Sequence, residues 1–286
     1  MRILALELAR ITEATAIASA EWVGRRDAHK ADAAAVDCMR SGLNNLDIDG
    51  TIVIGEGERD KAPMLFIGER VGRPDSEFKV DIAVDPLEDT NSVAYGRKEA
   101  MVVMAVGAKG DLLQAPDVYM KKIAVGPRAV GAIDINASVA ENVEAVAKSL
   151  NKAKSSVTVM VLDRERHLEL IEALCVTGAK VHTFPDGDVS ACMATCIEES
   201  GIDLYIGVGG APEGVLAAAA LRCMGGEIQA QLCAIHQDEQ DRLDLAGYKD
   251  LSRVYRTRDL AGGNQIFFCS NRSHRRSQSE GSSVLR

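Results

Sequence analysis

Nowhere does this sequence run apolar for the roughly 18 residues that a membrane-spanning helix needs, so none is indicated. Its 33 lysines and arginines fall short of its 42 aspartates and glutamates, and a formal net charge of −9 argues against a general nucleic-acid binder. An anionic small substrate stays open, because local cations and metal ions can outweigh the global sign. Cysteine shows no pairing pattern. Cys38, Cys175, Cys192, Cys196, Cys223, Cys233 and Cys269 are odd in number and irregular in spacing, and most sit in apolar runs. That usage indicates buried, reduced thiols and a cytosolic compartment. Cys192 and Cys196 lie four apart, with no further ligands to complete a zinc set. Also absent are a Gly-x-Ser-x-Gly elbow, the lysine of a P-loop and any repeat of solenoid period. The N-terminus, Met1 to Gly24, carries Glu7, Glu13 and Glu21 among its apolar residues, which is an amphipathic helix rather than a signal peptide.

What is present is organised in two halves, and 286 residues suit one large domain or two intimate ones. The pattern predicts helices over 4–22 and about 32–46, a β-rich run over 51–54, and strands over 100–106 and 112–115 joined by Lys109-Gly110. Residues 1–130 therefore read as an α+β domain with hairpin-like connections. Beyond Val130 the elements alternate: helices over 139–150, 166–176, 189–198 and 211–223, strands over 157–162, 180–184 and 204–208. Residues 131–270 thus read as an α/β domain whose parallel or mixed sheet is covered on both faces. From Asn271 to Arg286 the pattern breaks: Arg272, Arg275, Arg276 and Arg286 sit among serines with only Glu280 opposing them. This reads as a disordered basic tail, with a phosphate-binding tail as the functional alternative.

The stretch from Asp81 to Gly96 carries the most chemical information. Apolar residues over 82–84 read as a buried strand that Pro86 stops, crowding Asp85, Glu88, Asp89 and the Thr90 hydroxyl into the following turn. Like charges that close raise one another's pKa, and such a cluster needs a cation to stay ionised. Hard oxygen ligands point to Mg²⁺ or Mn²⁺. Other groups are placed to join it. Gly55-Glu56-Gly57-Glu58-Arg59-Asp60 follows a strand, and Asp32 opens a helix, where an N-cap role competes with ligation. Asp186-Gly187-Asp188 precedes a helix, either as a cap or as acceptors for sugar hydroxyls. The glycine-rich run from Gly207 to Gly214 places Glu213 at a helix start, making it a ligand donor rather than an anion cradle. Arg164, Arg166 and His167 supply cations after a strand end, and Tyr119 with Lys121 and Lys122 supplies further polar groups. Together these fit metal-assisted hydrolysis of a phosphate ester.

At these residues the chain resembles the class II fructose-1,6-bisphosphatases, a bacterial family that includes dual fructose/sedoheptulose bisphosphatases. The resemblance runs from about Leu4 to Phe268 and rests on five motifs in order: Gly55 to Leu65, Asp81 to Thr90, Ala115 to Lys122, Asp186 to Asp188, and Gly209 to Gly214. It implies a lithium-sensitive-phosphatase-like fold of alternating α and β layers, an α/β protein, with a divalent Mn²⁺ or Mg²⁺ site. It implies Asp32, Glu56, Asp85, Glu88 and Glu213 as metal ligands. Thr90, with Asp60 nearby, is implied to position or deprotonate the attacking water. Glu88, Asp89, Thr90, Tyr119, Arg164, Glu165, Arg166, Asp186, Gly187, Asp188 and Gly210 are implied as contacts to the sugar phosphate. It further implies a cytoplasmic homo-oligomer, dimer or tetramer, that engages a sugar bisphosphate and neither nucleic acid nor membrane.

Three departures from the family pattern stand out. Asp89 occupies a position where the family has glycine, adding bulk and charge whose repulsion with a phosphate at about 4 Å is roughly 1 kcal/mol in water. Arg26-Asp27-Ala28-His29 replaces Gly-Asp-Lys-Asn, leaving Lys30 or His29 to supply the missing cation. Past Phe268 the family continues with Ala-Thr-Gly where this chain has Cys269-Ser270-Asn271, a break expected to leave edge strands unpaired. Three readings follow: an active bisphosphatase, a non-catalytic paralogue that binds sugar phosphate, or a phosphatase for another sugar or inositol phosphate.

Overall fold

The computed structural model describes residues 2–57, 64–97, 100–273 and 283–285. The chain divides into two compact units, Met1–Gln114 with Gly262–Arg286 and Ala115–Ala261. In the first, helices α1 (Arg2–Ala20) and α2 (Ala28–Asn44) lead into strands β1 (Asp49–Ile54), β2 (Arg70–Gly72) and β3 (Lys79–Glu88), the short helix α3 (Thr90–Ala94) and strand β4 (Met101–Ala108). The second unit runs β5 (Tyr119–Val125), α4 (Val139–Ser149), β6 (Thr158–Leu162), α5 (Leu168–Val176), β7 (Lys180–Phe184), α6 (Asp188–Ala194), β8 (Leu204–Gly210), α7 (Ala211–Met224), β9 (Glu227–Cys233), α8 (Gln237–Leu245), β10 (Tyr255–Arg256) and α9 (Thr257–Leu260). The chain then returns to the first unit as β11 (Ile266–Arg272) and β12 (Ser283–Leu285).

The first sheet has the order β12-β11-β4-β3-β1-β2, with β1 and β3 parallel and the other pairs antiparallel. Helix α2 presents Ala31, Ala35, Val36, Met39 and Leu43 as one buried stripe, the spacing of a face that packs on a sheet. Val36, Met39 and Leu43, with Leu8 and Ile11 of α1, close over Ile52, Ile82 and Met104. Asp27, not Asp32, caps α2, accepting from the Lys30 N–H at 3.1 Å. The helix begins one turn earlier than the sequence pattern predicts, and Asp32 is freed from capping.

The second sheet is mixed, as expected, with the order β10-β9-β5-β8-β6-β7. Strands β7, β6 and β8 are parallel, while β5 lies antiparallel between β8 and β9. Both faces of β5 are covered. Ile123 and Val125 join Val143 and Val146 of α4, while Gly214 of α7 lies against Met120 and Lys122. Helix α7 is buried along Val215–Leu221, the pattern of a helix enclosed on all sides.

Four expectations change. Pro86 does not end β3: pairing with β4 resumes at Glu88–Met101 after a register shift between Asp85 and Glu88, so the proline sits at an irregularity. Residues 112–115 are not a strand but the passage into the second unit. The unit boundary falls after Gln114 rather than near 130, because β5 pairs only within the second sheet, and the chain leaves that unit at Ala261 rather than 270. Asn271 and Arg272 belong to β11, and 283–285 form β12, where a disordered tail was expected. β11 pairs on both sides, with β4 and β12, so the altered sequence after Phe268 leaves that strand no open edge.

Candidate active site

In the first unit one small apolar cluster joins the start of α2 to the end of β3. Ala31, Ala35, Leu87, Val93 and Ala100 form that cluster, and Asp32 and Glu88 each follow one of its members in sequence. Burial raises the Asp32 carboxyl above the ordinary aspartate value, with His29 opposing the shift. Glu56, just past β1, is pushed up to about 7, by burial first and by the charge of Asp32 second. A buried carboxyl whose ionisation a neighbouring carboxylate further disfavours is a place where a cation is stabilising. Asp85 and Glu88 flank the register shift in β3, and Asp85 accepts from the Leu87 N–H at 3.1 Å. Asp60, expected beside Thr90, lies outside the described residues.

Thr90 opens α3, and its hydroxyl donates to the Leu87 carbonyl at 3.2 Å, leaving the oxygen lone pairs to accept. Asp89 stands immediately before it in the left-handed region, at φ 62 and ψ 61. Aspartate tolerates that conformation better than most residues. Its carboxylate turns back to cap α3, accepting from the Ser92 N–H at 3.0 Å and from the Ser92 hydroxyl. Its charge is therefore spent at a helix N-terminus, where it is stabilising. Arg26 is also left-handed at φ 58, and its N–H donates to the Ala94 carbonyl at the far end of α3. Lys30, expected to supply a cation, pairs with Asp27 at 3.1 Å and lies 5.5 Å from the Trp22 ring centroid.

In the second unit the polar centre surrounds Lys122. Its side chain is fully buried, and its Nζ donates to Asp188 Oδ2 and to the Gly210 carbonyl, the latter at 2.7 Å. Burial alone would lower this ammonium, but Asp188 and Glu213 more than reverse it and leave it above the ordinary lysine value. The Tyr205 hydroxyl donates to the same Asp188 oxygen at 3.4 Å. Asp188 thus has a structural partner, and the N-cap position of α6 is held by Gly187. Glu213, in the first turn of α7, keeps some contact with solvent, but its Oε2 is buried without a hydrogen-bond partner. Burial, then the neighbouring Asp188, raises its carboxyl.

The turn after β6 is pinned by His167. Its Nδ1 lies 2.8 Å from the Leu162 carbonyl, and its Nε2 accepts from the Val208 N–H at 2.8 Å, which fixes the proton on Nδ1. Burial holds this imidazole below the usual histidine value. The sequence pattern predicts a cation at this position; the structure makes it a buried neutral brace. Arg166 donates through Nε and Nη2 to the Val208 carbonyl at 3.0 and 2.9 Å and lies over Tyr119. Arg164 pairs with Asp186 at 3.3 Å.

A family model described as bacterial fructose-1,6-bisphosphatase, glpX-encoded, matches residues 2–272. The chain belongs to this class 2 fructose-1,6-bisphosphatase family. Its members are metal-dependent phosphoric monoester hydrolases. The "Fructose-1,6-bisphosphatase 1 class 2" of Escherichia coli K12 is 45% identical over 279 residues, spanning 93% of this chain and 83% of that protein. The "Fructose-1,6-bisphosphatase class 2" of Shigella flexneri matches to the same extent. Among solved structures, an extragenic suppressor from Pyrococcus furiosus aligns with 68% of this chain and 68% of its own, at 15% identity and a TM-score of 0.34. The suhB protein of Bartonella henselae aligns with 74% of this chain and 82% of its own, at 13% identity and a TM-score of 0.38.

Of the expected bisphosphatase ligands, Asp32, Glu56, Asp85 and Glu88 lie in the first unit and Glu213 in the second. Among the described residues, no three His, Cys, Asp or Glu side chains form a closed metal cage. What fits a cation is the chemistry of the donors: in the first unit Asp32 and Glu56, both raised by burial and Glu56 further by the charge of Asp32, and in the second unit the partnerless Oε2 of Glu213. The expected sugar-phosphate residues of the second unit fall into two linked groups. Tyr119, Arg164 and Arg166 gather around the β6 turn, while Asp188 and Gly210 meet at Lys122. Glu165 and Gly187 flank these groups in the chain, Gly187 as the left-handed N-cap of α6. Sequence pattern treats Lys122 and its neighbour Lys121 alike. The signal for it was β-strand alternation, which puts it on one face with buried Met120 and Ala124.

Proposed function

We propose that the chain hydrolyses the 1-phosphate of fructose 1,6-bisphosphate, giving fructose 6-phosphate and phosphate, with sedoheptulose 1,7-bisphosphate as a second substrate. Asp32, Glu56, Asp85, Glu88 and Glu213 would hold Mn²⁺ or Mg²⁺. The observation that carries this reading is the Glu213 carboxylate oxygen, buried without a donor in a member of a metal-dependent sugar phosphatase family. When bound, the cation would neutralise phosphoryl charge and acidify the attacking water.

The chain's own residues do the rest. Thr90, its hydroxyl proton committed to Leu87, offers a lone pair that orients the nucleophilic water. A hydroxyl is a weak base, so the proton passes to a carboxylate, for which Asp60 is the expected acceptor. Arg164 and Arg166 neutralise the phosphate left behind. Arg166 spends Nε and Nη2 on Val208, which leaves Nη1 for the anion. Asp186 and Asp188 accept from sugar hydroxyls, Gly187 and Gly210 let the ring approach the backbone, and Glu88, Asp89, Glu165 and Tyr119 complete the contacts.

Seven free cysteines fit a cytoplasmic setting, and we assign the chain to a homo-oligomer there. Among the described residues no helix is long and apolar enough to cross a membrane. The test is phosphate release from fructose 1,6-bisphosphate with Mn²⁺ against a chelated control, repeated with Glu213→Gln. Release that requires metal and falls at least a hundredfold in the variant supports the assignment. Full activity in Glu213→Gln removes that residue from the site, and no release by the folded wild type refutes the hydrolase reading.

A further inference from the structure

Among the described residues Lys122 is the only lysine or arginine that is buried. A lysine is almost never buried without a partner, and this one has several. Its ammonium holds the carboxylate of Asp188, the first residue of α6, and the carbonyl of Gly210, the residue before α7. One side chain from the central strand β5 therefore ties together the starts of two helices.

The fit around it leaves no slack. A Cβ added at Gly209 would lie 2.0 Å from Asp188 Oδ2 and 3.0 Å from Lys122 Nζ. A Cβ added at Gly210 would lie 1.9 Å from Glu213 Oε2. The two carboxylates are thus seated against the bare backbone of consecutive glycines, with the lysine beside the first of them. A neutral side chain at 122 would leave Asp188 and its neighbour Glu213 without the buried cation that offsets both.

We propose that Lys122 is a positioning residue, clamping Asp188 and the Gly210 carbonyl so that Asp188 and Glu213 are held ready for sugar phosphate and metal. The inference rests on the assignment of those two residues in the site proposed above. Lys122 touches neither ligand. It acts through the side chains and backbone that do.

The test uses the full chain as wild type, Lys122→Met and Gly209→Ala. The second variant keeps every charge and wedges the clamp apart. Mn²⁺ affinity is read by titration calorimetry in the absence of substrate, and KM and kcat for fructose 1,6-bisphosphate are read separately. Both variants should bind Mn²⁺ at least tenfold more weakly and raise KM at least tenfold at temperatures where circular dichroism shows them folded. A lysine that merely repelled the cation would, when removed, leave Mn²⁺ binding unchanged or tighter, and that result overturns the proposal. A purely structural lysine would lower the melting temperature and leave Mn²⁺ affinity and KM within twofold, which also overturns it. If Lys122→Met fails to fold, Gly209→Ala decides by the same criteria. A wild type that binds no Mn²⁺ and releases no phosphate would instead refute the site assignment, and this inference with it.

Discussion

The Arg166 guanidinium lies over the ring of Tyr119, its central carbon 4.8 Å from the ring centroid. Two of its nitrogens are already tied to the Val208 carbonyl, so the stack sets the plane of an arginine whose position is fixed. Tyr119→Phe keeps the ring face and should change KM for the bisphosphate less than threefold. Tyr119→Ala and Arg166→Lys should each raise it about tenfold or more, because lysine neither stacks nor forks. Steady-state kinetics on the three variants checks this, and an Arg166→Lys enzyme with wild-type KM would contradict it.

Asp89 combines an unfavourable backbone conformation with a favourable cap. Asp89→Ala loses the cap and keeps the left-handed strain, so urea unfolding should show a loss of about 1–2 kcal/mol. Asp89→Gly loses the cap but relieves the strain, and should lie within about 0.5 kcal/mol of wild type. Because the carboxylate is held by Ser92, glycine should also leave kcat within threefold. A large gain in turnover would instead show that the acid obstructs the phosphate.

Glu56 makes the metal-free protein lose stability as pH rises towards neutral. Its folded carboxyl is raised to about 7, above its unfolded value, so the native state binds more protons between about 4.5 and 7 and its stability falls as pH rises through that range. Glu56→Gln should therefore melt higher than wild type at pH 8 in chelator. It should also gain less from added Mn²⁺. Melting curves with and without metal at pH 5.5 and 8 decide, and a variant no more stable than wild type in chelator at pH 8 would refute the burial argument.

His167 has the opposite dependence. Its folded value is depressed, so the unfolded state binds more protons as pH falls, and stability is lost on going below about 6.5. Protonated Nε2 also could no longer accept from the Val208 N–H. His167→Gln keeps one donor and one acceptor. It should flatten the melting-temperature profile between pH 7 and 5 while lowering the plateau, and an unchanged slope would exclude His167 as its source.

Much of the second unit was legible because its helices and strands are long, periodic and punctuated: strand 180–184 is the one expected, and helix 211–224 is bounded by Gly210 and Gly225. The irregular first unit was harder. Pro86 looked like a strand end, but the β3–β4 pairing tolerates it at a register shift and continues to Glu88. Asp32 looked like a cap because it precedes an apolar run, although Asp27 with Lys30 already supplies one. Strands β5 and β11 were missed because sheet partners distant in sequence define them, and Lys121, Lys122, Asn271 and Arg272 mask their local character. Site residue types could be read from motifs; their partners could not. Nothing near Lys122 in sequence announces Asp188, 66 residues away.

The return of the chain at Gly262 also carries a temporal consequence. The Gly262 N–H donates to the Asp111 carbonyl at 2.6 Å, so the two crossings between units are stitched side by side, and β11 then slots between β4 and β12. A chain made from its N-terminus therefore has residues 115–261 synthesised before the strand that completes the first sheet exists. Until β11 emerges, β4 is an apolar edge strand with nothing on one side, and Phe268, fully buried in the finished protein, is the residue for which that vacancy waits.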